Sequence, residues 1–372
     1  MRLALGLARR ARGRTSPNPL VGALVVVGDQ VVGRGYHRRL GSAHAEVEAL
    51  RQAGPRARGA ELFVNLEPCC HHGRTPPCVD AIVAAGVRRV VVGMVDPHPL
   101  VHGRGLRALR RAGVEVHCGT LGPECRVLNR AFVSCVTRGR PLVTLKAAIT
   151  LDGRVAARGG DARWITGAPA RAEAHRLRNT HDAVLVGLGT VQTDDPRLDC
   201  RGVRGGRDPL RVVVDSRLRT PPTAQVVQLA RRSAAATWIV TTRRGAADAG
   251  RVQALERAGA TIIAVASQRG RVKLPALLAL LAERGVGSLL VEGGPTLAGA
   301  LWRERLVDEL VCFIAPKLLG DAAALPLLQG VGAVARVAQA VALEAVRVRR
   351  LGRDVEISGT VAWPGAWPDR AG

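Results

Sequence analysis

The stretch Asn65-Leu-Glu-Pro-Cys-Cys-His-His-Gly-Arg-Thr-Pro-Pro-Cys78, read with Ala43-His-Ala-Glu-Val47 upstream of it, decides what kind of domain opens this chain. A His, two Cys and a nearby Glu are the parts of a hydrolytic zinc site. His44, Cys69 and Cys78 supply three ligands, and the fourth position stays open for a water whose pKa zinc brings toward neutrality. Glu46 is not a ligand. Two residues past His44, its carboxylate can reach that water and pass a proton to a leaving amine. The shuttle needs a neutral form, so a closed site is expected to raise the Glu46 pKa. Cys70, His71 and His72 are ligand types in the same run.

Outward from this stretch the hydrophobic pattern alternates. Met1 to Arg14 reads as a first helix, and Val21 to Val27 and Val31 to His37 as strands joined by a Gly28-Asp29 turn. A helix is expected over His44 to Ala53, a strand over Glu61 to Leu66, and a helix over Cys78 to Ala85. Strands over Arg89 to Val95 and Val114 to Cys118 follow, then a helix over 120–140 closed by Gly139-Arg-Pro141. This alternation implies a layered α/β domain. His44 and Glu46 open one helix and Cys78 opens the next, and helix N-termini aimed at one spot favour thiolates. A domain boundary is placed between 140 and 141. Beyond it, strands are expected near 142–149, 183–187, 210–215, 236–241, 260–265, 287–292 and 307–315, with two more about Gly352.

The 372 residues suit two domains, and aliphatic residues must fill the cores, since the chain has only three Phe, one Tyr and five Trp. No apolar run is long enough to span a membrane. The net charge of +25 suggests nucleic acid, but the arginines are dispersed and stacking platforms are scarce, so no specific nucleic-acid role is expected. Of the 55 basic residues only Lys146, Lys273 and Lys317 are lysines. A lysine kept amid such a bias is a candidate for chemistry that a guanidinium cannot perform. Lys317 is read as lying in an apolar-flanked strand, and Lys273 in a surface loop. Cys118, Cys125, Cys135, Cys200 and Cys312 read as small buried hydrophobes. No signal peptide is recognised, and a reducing cytoplasm is expected.

The signature of zinc deaminases is His-x-Glu followed by Pro-Cys-x-x-Cys. Here the gap between the two cysteines is longer. The long loop, with Ser16-Pro-Asn-Pro-Leu-Val-Gly22, Thr144-Leu-Lys-Ala147, Leu151-Asp-Gly153, Trp164-Ile-Thr166 and Val291-Glu-Gly-Gly-Pro-Thr-Leu-Ala298, resembles the bifunctional riboflavin-biosynthesis deaminase/reductase family. The resemblance implies a cytidine-deaminase-like zinc domain over 1–140 and a dihydrofolate-reductase-like NADPH domain over 141–372. It implies deamination of 2,5-diamino-6-ribosylamino-4(3H)-pyrimidinone 5′-phosphate, then reduction of the ribosyl group to ribityl. It favours Cys69 over Cys70 as ligand, with Cys70 packing and His71 near the substrate. Asn18, His37 and Arg74 would hold the pyrimidine and its phosphate.

In the second domain Ala148, Trp164, Thr190, Asp194, Ser216 and the run Gly294, Pro295, Thr296, Leu297, Ala298, Gly299 and Ala300 would contact NADPH. The strand entering that Gly-Gly turn and helix could cradle a phosphate on backbone N–H groups. Rossmann glycine spacing is absent. Ala162, Arg178, Leu198, Arg201 and Glu292 would contact the substrate, with Arg178 and Arg201 as bidentate phosphate donors. Lys146 is a candidate proton donor in the reduction. Family members suggest a homo-oligomer. Two other readings stay open on the residues alone: a nucleoside or RNA-editing deaminase with an unrelated tail, and a basic scaffold with a structural zinc.

Overall fold

A computed structural model describes residues 1–71, 76–332 and 334–364. The chain forms two compact units, Met1–Arg140 and Pro141–Gly372.

The N-terminal unit runs α1 (Arg2–Arg9), β1 (Gly22–Val27), β2 (Gln30–Tyr36), α2 (Ala45–Ala53), β3 (Glu61–Val64), α3 (Cys78–Ala84), β4 (Arg89–Val92), α4 (Arg104–Arg111), β5 (Glu115–Cys118) and α5 (Gly122–Arg138). Its sheet has the order β2-β1-β3-β4-β5. β1 pairs antiparallel with β2 and β3, whereas β3, β4 and β5 are parallel. Alternate residues of the strands, Ala23, Val25, Leu62, Val64, Val90 and Val92, face the helices and bury against Ala49, Ile82 and Leu109. The small side chains let backbones close up. A Cβ added at Gly35 would lie 2.1 Å from the Ala45 carbonyl oxygen, so the start of α2 sits directly on β2. That contact fixes where His44, the N-cap of α2, is held.

The C-terminal unit runs β6 (Leu142–Thr150), β7 (Arg154–Ala156), α6 (Ala168–Thr180), β8 (Ala183–Gly187), α7 (Leu188–Asp194), β9 (Leu210–Val214), α8 (Gln225–Gln228), β10 (Thr237–Thr242), α9 (Arg243–Ala246), α10 (Ala249–Arg257) and β11 (Thr261–Val265). It continues with β12 (Ser267–Gln268), β13 (Arg271–Val272), α11 (Leu274–Glu283), β14 (Ser288–Val291), α12 (Pro295–Arg303), β15 (Glu309–Ala315), β16 (Leu325–Pro326), β17 (Ala342–Leu351) and β18 (Asp354–Ala362). The large sheet has the order β11-β10-β9-β8-β14-β6-β15-β18-β17. It is parallel from β11 to β15 and antiparallel at β18 and β17. Its core is Val143, Leu145, Leu185, Leu289 and Val291 under Leu277, Leu281 and Leu301. The aliphatic interior follows from the scarcity of aromatics.

Both units are α/β, as the alternating pattern implies. Two readings need correction. Lys317 is not on a strand: β15 ends at Ala315, and Pro316, which has no N–H to offer a ladder, leads into an exposed loop. Cys118, Cys135 and Cys200 are only partly buried, whereas Cys125 and Cys312 are buried. The short pairs β12–β13 and β7–β16 carry too few residues for a periodic signal. Among the described residues no helix is long and apolar enough to cross a membrane.

Candidate active sites

In the N-terminal unit α2 and α3 open beside the loop that follows β3. His44 caps α2, Cys78 is the first residue of α3, and Cys69 lies in the loop. His44 Nδ1 is 3.1 Å from Cys78 Sγ and 3.5 Å from Cys69 Sγ. The Cys78 backbone N–H donates to Cys69 Sγ at 3.3 Å. All three ligand atoms lie within 4.8 Å of one another. Donors around one tetrahedral zinc stand roughly 3.5 Å apart, so this set fits that ion.

The electrostatics agree. The hydrogen bond from Cys78, aided by His44, holds the Cys69 thiol at about 4, far below the ordinary thiol range. Cys78, donating to Cys69 and buried, is pushed up. Cys69 is thus the more acidic thiol of the pair, and a bound metal would displace the proton from each. The hydrogen bond to Cys69 raises the His44 pKa. Glu46 is buried, and desolvation, with the Cys69 charge behind it, pushes its carboxyl up to about 7.

Asn18 Nδ2 and His37 Nε2 are 3.1 Å apart. The buried His37 ring meets the His44 ring edge-on, with centroids 5.6 Å apart. Burial lowers the His37 pKa, and His44 adds to the effect. Cys70 packs partly against the core, with its Sγ toward the Leu100 carbonyl. His71 is exposed. His72 and Arg74 lie outside the described residues. Sequence reasoning missed Glu67. Its buried carboxylate accepts from the N–H groups of Asp96, Gly103 and Leu106, which ties the approach to Cys69 to the start of α4. An acidic residue next to Pro68-Cys69 was the available signal.

In the C-terminal unit the register does the assembly. β14 pairs with β6 so that Val291 stands opposite Leu145. The next residues, Glu292 and Lys146, are therefore neighbours, with Lys146 Nζ 3.6 Å from Glu292 Oε2. Arg178, from α6, reaches the same carboxylate through Nε at 2.6 Å and Nη2 at 2.9 Å. Burial opposes the charge on Glu292, but Arg178 and Lys146 outweigh it and hold the carboxyl at about 2. The Lys146 ammonium also lies 5.8 Å from the Phe313 ring centroid.

A cleft of about 480 Å³ opens over this network. It gathers Lys146, Ala148, Ala162, Trp164, Arg178, Thr190, Asp194, Leu198, Arg201 and Glu292 from the expected set. Arg163, Arg171 and Arg197 also line it and went unforeseen, Arg197 paired with Asp199 at 2.8 Å. The cleft lies by the carboxyl ends of the parallel strands β6, β8 and β14, where open α/β sheets bind ligands.

Several expectations for this unit do not hold as stated. Arg178 is not turned outward as a phosphate donor: Glu292 takes Nε and Nη2, and the Asp199 carbonyl takes Nη1 at 3.1 Å. Arg201 is half-exposed and bridged to Asp199 at 3.3 Å. Ser216, like Gly294, Pro295 and Thr296, lies outside the cleft lining, its hydroxyl accepting from the Val272 N–H at 3.0 Å. Leu297 and Ala298 are buried in the core with Ala300 packed against it, Gly299 is buried against the Gln329 backbone, and the Thr296 hydroxyl donates to Gln329 Oε1 at 3.0 Å. The Gly294 N–H already donates to Thr190 Oγ1 at 3.0 Å. Pro295 has no N–H, which leaves Thr296 and Leu297 as first-turn donors with no carbonyl four residues back in the helix.

Fold and sites together define a two-domain enzyme, a zinc-dependent deaminase followed by a reductase. The family described as the cytidine and deoxycytidylate deaminase zinc-binding region matches residues 1–94, and the RibD C-terminal domain matches residues 141–357. The riboflavin biosynthesis protein RibD of Bacillus amyloliquefaciens is 40% identical over 358 residues, covering 96% of this chain and 94% of the relative. The RibD of Escherichia coli (strain K12) is 41% identical over 368 residues, covering 95% and 96%. Among solved structures, Acinetobacter baumannii RibD superposes with a TM-score of 0.86 at 36% identity, covering 97% of this chain and 98% of that one. The diaminohydroxyphosphoribosylaminopyrimidine deaminase/5-amino-6-(5-phosphoribosylamino)uracil reductase of Thermotoga maritima gives 0.83 at 33% identity, covering 97% of each. The chain belongs to the RibD family of bifunctional riboflavin-biosynthesis enzymes. Its cofactors are zinc and NADPH.

Proposed function

We propose that residues 1–140 deaminate 2,5-diamino-6-ribosylamino-4(3H)-pyrimidinone 5′-phosphate and that residues 141–372 then reduce the ribosyl group of the product to ribityl. The observation that carries the reading is the convergence of His44, Cys69 and Cys78 beside the buried carboxyl of Glu46. His44 Nδ1 and the two sulfurs would hold zinc. When bound, zinc supplies a Lewis acid that brings the pKa of water toward neutrality. Glu46, poised at about 7, exchanges a proton readily at working pH. It takes a proton from the attacking water and returns it to the amine nitrogen. A C–O bond forms, the C–N bond breaks and ammonia leaves. Asn18 and His37 hold the pyrimidine beside Glu46, with His71 and Arg74 completing the substrate contacts.

In the reduction the ribose C1′–O bond opens and C1′ gains a hydrogen. When bound, NADPH would supply it as hydride. Lys146 hands a proton to the released sugar oxygen and is re-protonated from solvent. Glu292 and Arg178 keep the Lys146 ammonium in place rather than binding phosphate. Ala148, Trp164, Thr190, Asp194 and the start of α12 at Gly294, Pro295 and Thr296 contact the cofactor. Ala162, Leu198, Glu292 and Arg201 contact the substrate, and the phosphate falls to Arg201. Arg201→Ala is therefore expected to raise KM for the phosphorylated substrate about tenfold. Steady-state kinetics with and without the 5′-phosphate check this, and an equal effect on the dephosphorylated compound contradicts it.

None of the eight cysteines is in a disulfide, and the reading places the protein in a reducing cytoplasm. The reading includes a homo-oligomer, on the strength of the family resemblance. Metal removal tests the deaminase half. A chelator should abolish ammonia release, leave reduction of the already deaminated pyrimidine intact, and be reversed by added zinc. Unchanged ammonia release after complete zinc removal sinks the assignment.

A further inference from the structure

We propose that Lys317 is a positioning residue of the reductase cleft, holding the Trp164 segment in place through the Trp164 carbonyl oxygen. The proposal rests on the reading of that cleft as the NADPH site. Lys317 Nζ donates to the Trp164 carbonyl at 2.6 Å.

The anchor under Lys317 is firm. Its N–H donates to the Ala315 carbonyl and its own carbonyl accepts from the Leu151 N–H, both at 2.8 Å. Just beyond, the Gly320 N–H donates to the Asp152 carboxylate at 2.9 Å, with the Leu319 N–H at 3.2 Å. The Thr150 hydroxyl grips the same carboxylate. Lys317 thus stands on a platform joining the carboxyl ends of β6 and β15.

The segment it holds has little core of its own. Trp164 lines the cleft and is 63% exposed. Its indole lies 4.6 Å from the Arg171 guanidinium, and Arg171 Nη1 also donates to the Thr166 carbonyl at 2.7 Å. The Arg163 side chain donates to the Asp194 carbonyl. Those tethers fix the segment to α6 and α7; Lys317 fixes it from the loop that follows β15. A wall held from both sides is ordered before a ligand arrives, so less ordering cost falls on binding. The residue type fits the task. A slim ammonium serves a single carbonyl, whereas a guanidinium is a planar fork, and this is one of only three lysines among 55 basic residues.

The test uses the full-length, zinc-loaded protein carrying Lys317→Met or Lys317→Arg. Acrylamide quenching of Trp164, read as the difference from the same protein with Trp164→Phe, reports the tether without cofactor. Calorimetric titration with NADPH reports the site. Lys317→Met should make Trp164 more quenchable and raise the NADPH Kd about fivefold to tenfold, the loss of one charge-assisted hydrogen bond. The kcat at saturating NADPH and the unfolding midpoint should stay unchanged, and Lys317→Arg, which keeps the charge but not the slim single donor, should recover only part of the affinity. Unchanged quenching overturns the proposal. So does a loss of affinity that only tracks a falling midpoint, which would make Lys317 a stability contact. Absence of NADPH binding by the unsubstituted protein would overturn the cofactor reading instead, with the quenching arm still deciding the tether.

Discussion

Glu46→Gln is expected to lower the rate of ammonia release by at least ~10³-fold while zinc stays bound at full stoichiometry. The amide keeps the shape of the side chain and removes the only role proposed for it, carrying a proton. Glu46 is buried, and desolvation pushes its carboxyl up to about 7, which makes it a better proton acceptor and donor than an exposed carboxylate. Glutamine can do neither. Reduction of the deaminated pyrimidine by NADPH should proceed as before. Ammonia release measured with metal analysis on the same sample checks this. Near-native release by a zinc-replete variant would remove Glu46 from the mechanism and favour the structural-zinc reading.

Glu292→Gln is expected to destabilise the C-terminal unit by about 3 kcal/mol and to abolish reduction. Arg178 and Lys146 would then face each other across a neutral amide, and the Arg178 side chain is only 14% exposed. The pH dependence has a definite sign. Burial alone would raise the Glu292 carboxyl, but Arg178 and Lys146 hold it at about 2, below the ordinary 4.5. A depressed carboxylate contributes stability that is present above its unfolded pKa and lost as pH falls toward the folded one. The native unit should therefore lose about 3 kcal/mol from this group between about pH 4.5 and about pH 2. The variant should lack that component over the same window. Urea unfolding of both proteins across that range decides it, and parallel curves would contradict the assignment.

The two sites were unequally legible in the sequence. The zinc-type centre is built at local signals. His44-x-Glu46 opens a helix at an N-cap, and Cys78 opens the next, so chain spacing and spatial neighbourhood coincide. The α/β class was legible for the same reason, since strand and helix periods alternate cleanly. The reductase cleft depends instead on long-range register. Nothing near Arg178 in the chain announces that Glu292 will occupy its guanidinium; that follows from the pairing of β14 with β6 and from α6 above it. The run from Gly294 to Ala300 is contiguous in sequence, but a helix turns successive residues to different faces, and Leu297 and Ala298 turn inward. Ser216 is held by Val272, 56 residues away, a distance over which local pattern says nothing. Glu67 escaped notice because its partners are backbone N–H groups, which leave no mark in side-chain patterning.

The most direct measurement follows ammonia release and NADPH oxidation together, on the zinc-loaded protein given 2,5-diamino-6-ribosylamino-4(3H)-pyrimidinone 5′-phosphate. Ammonia should appear first, and NADPH should then be consumed in equal amount with a lag. NADPH oxidation without ammonia, or neither signal from fully zinc-loaded protein, would contradict the account of two successive reactions in one chain.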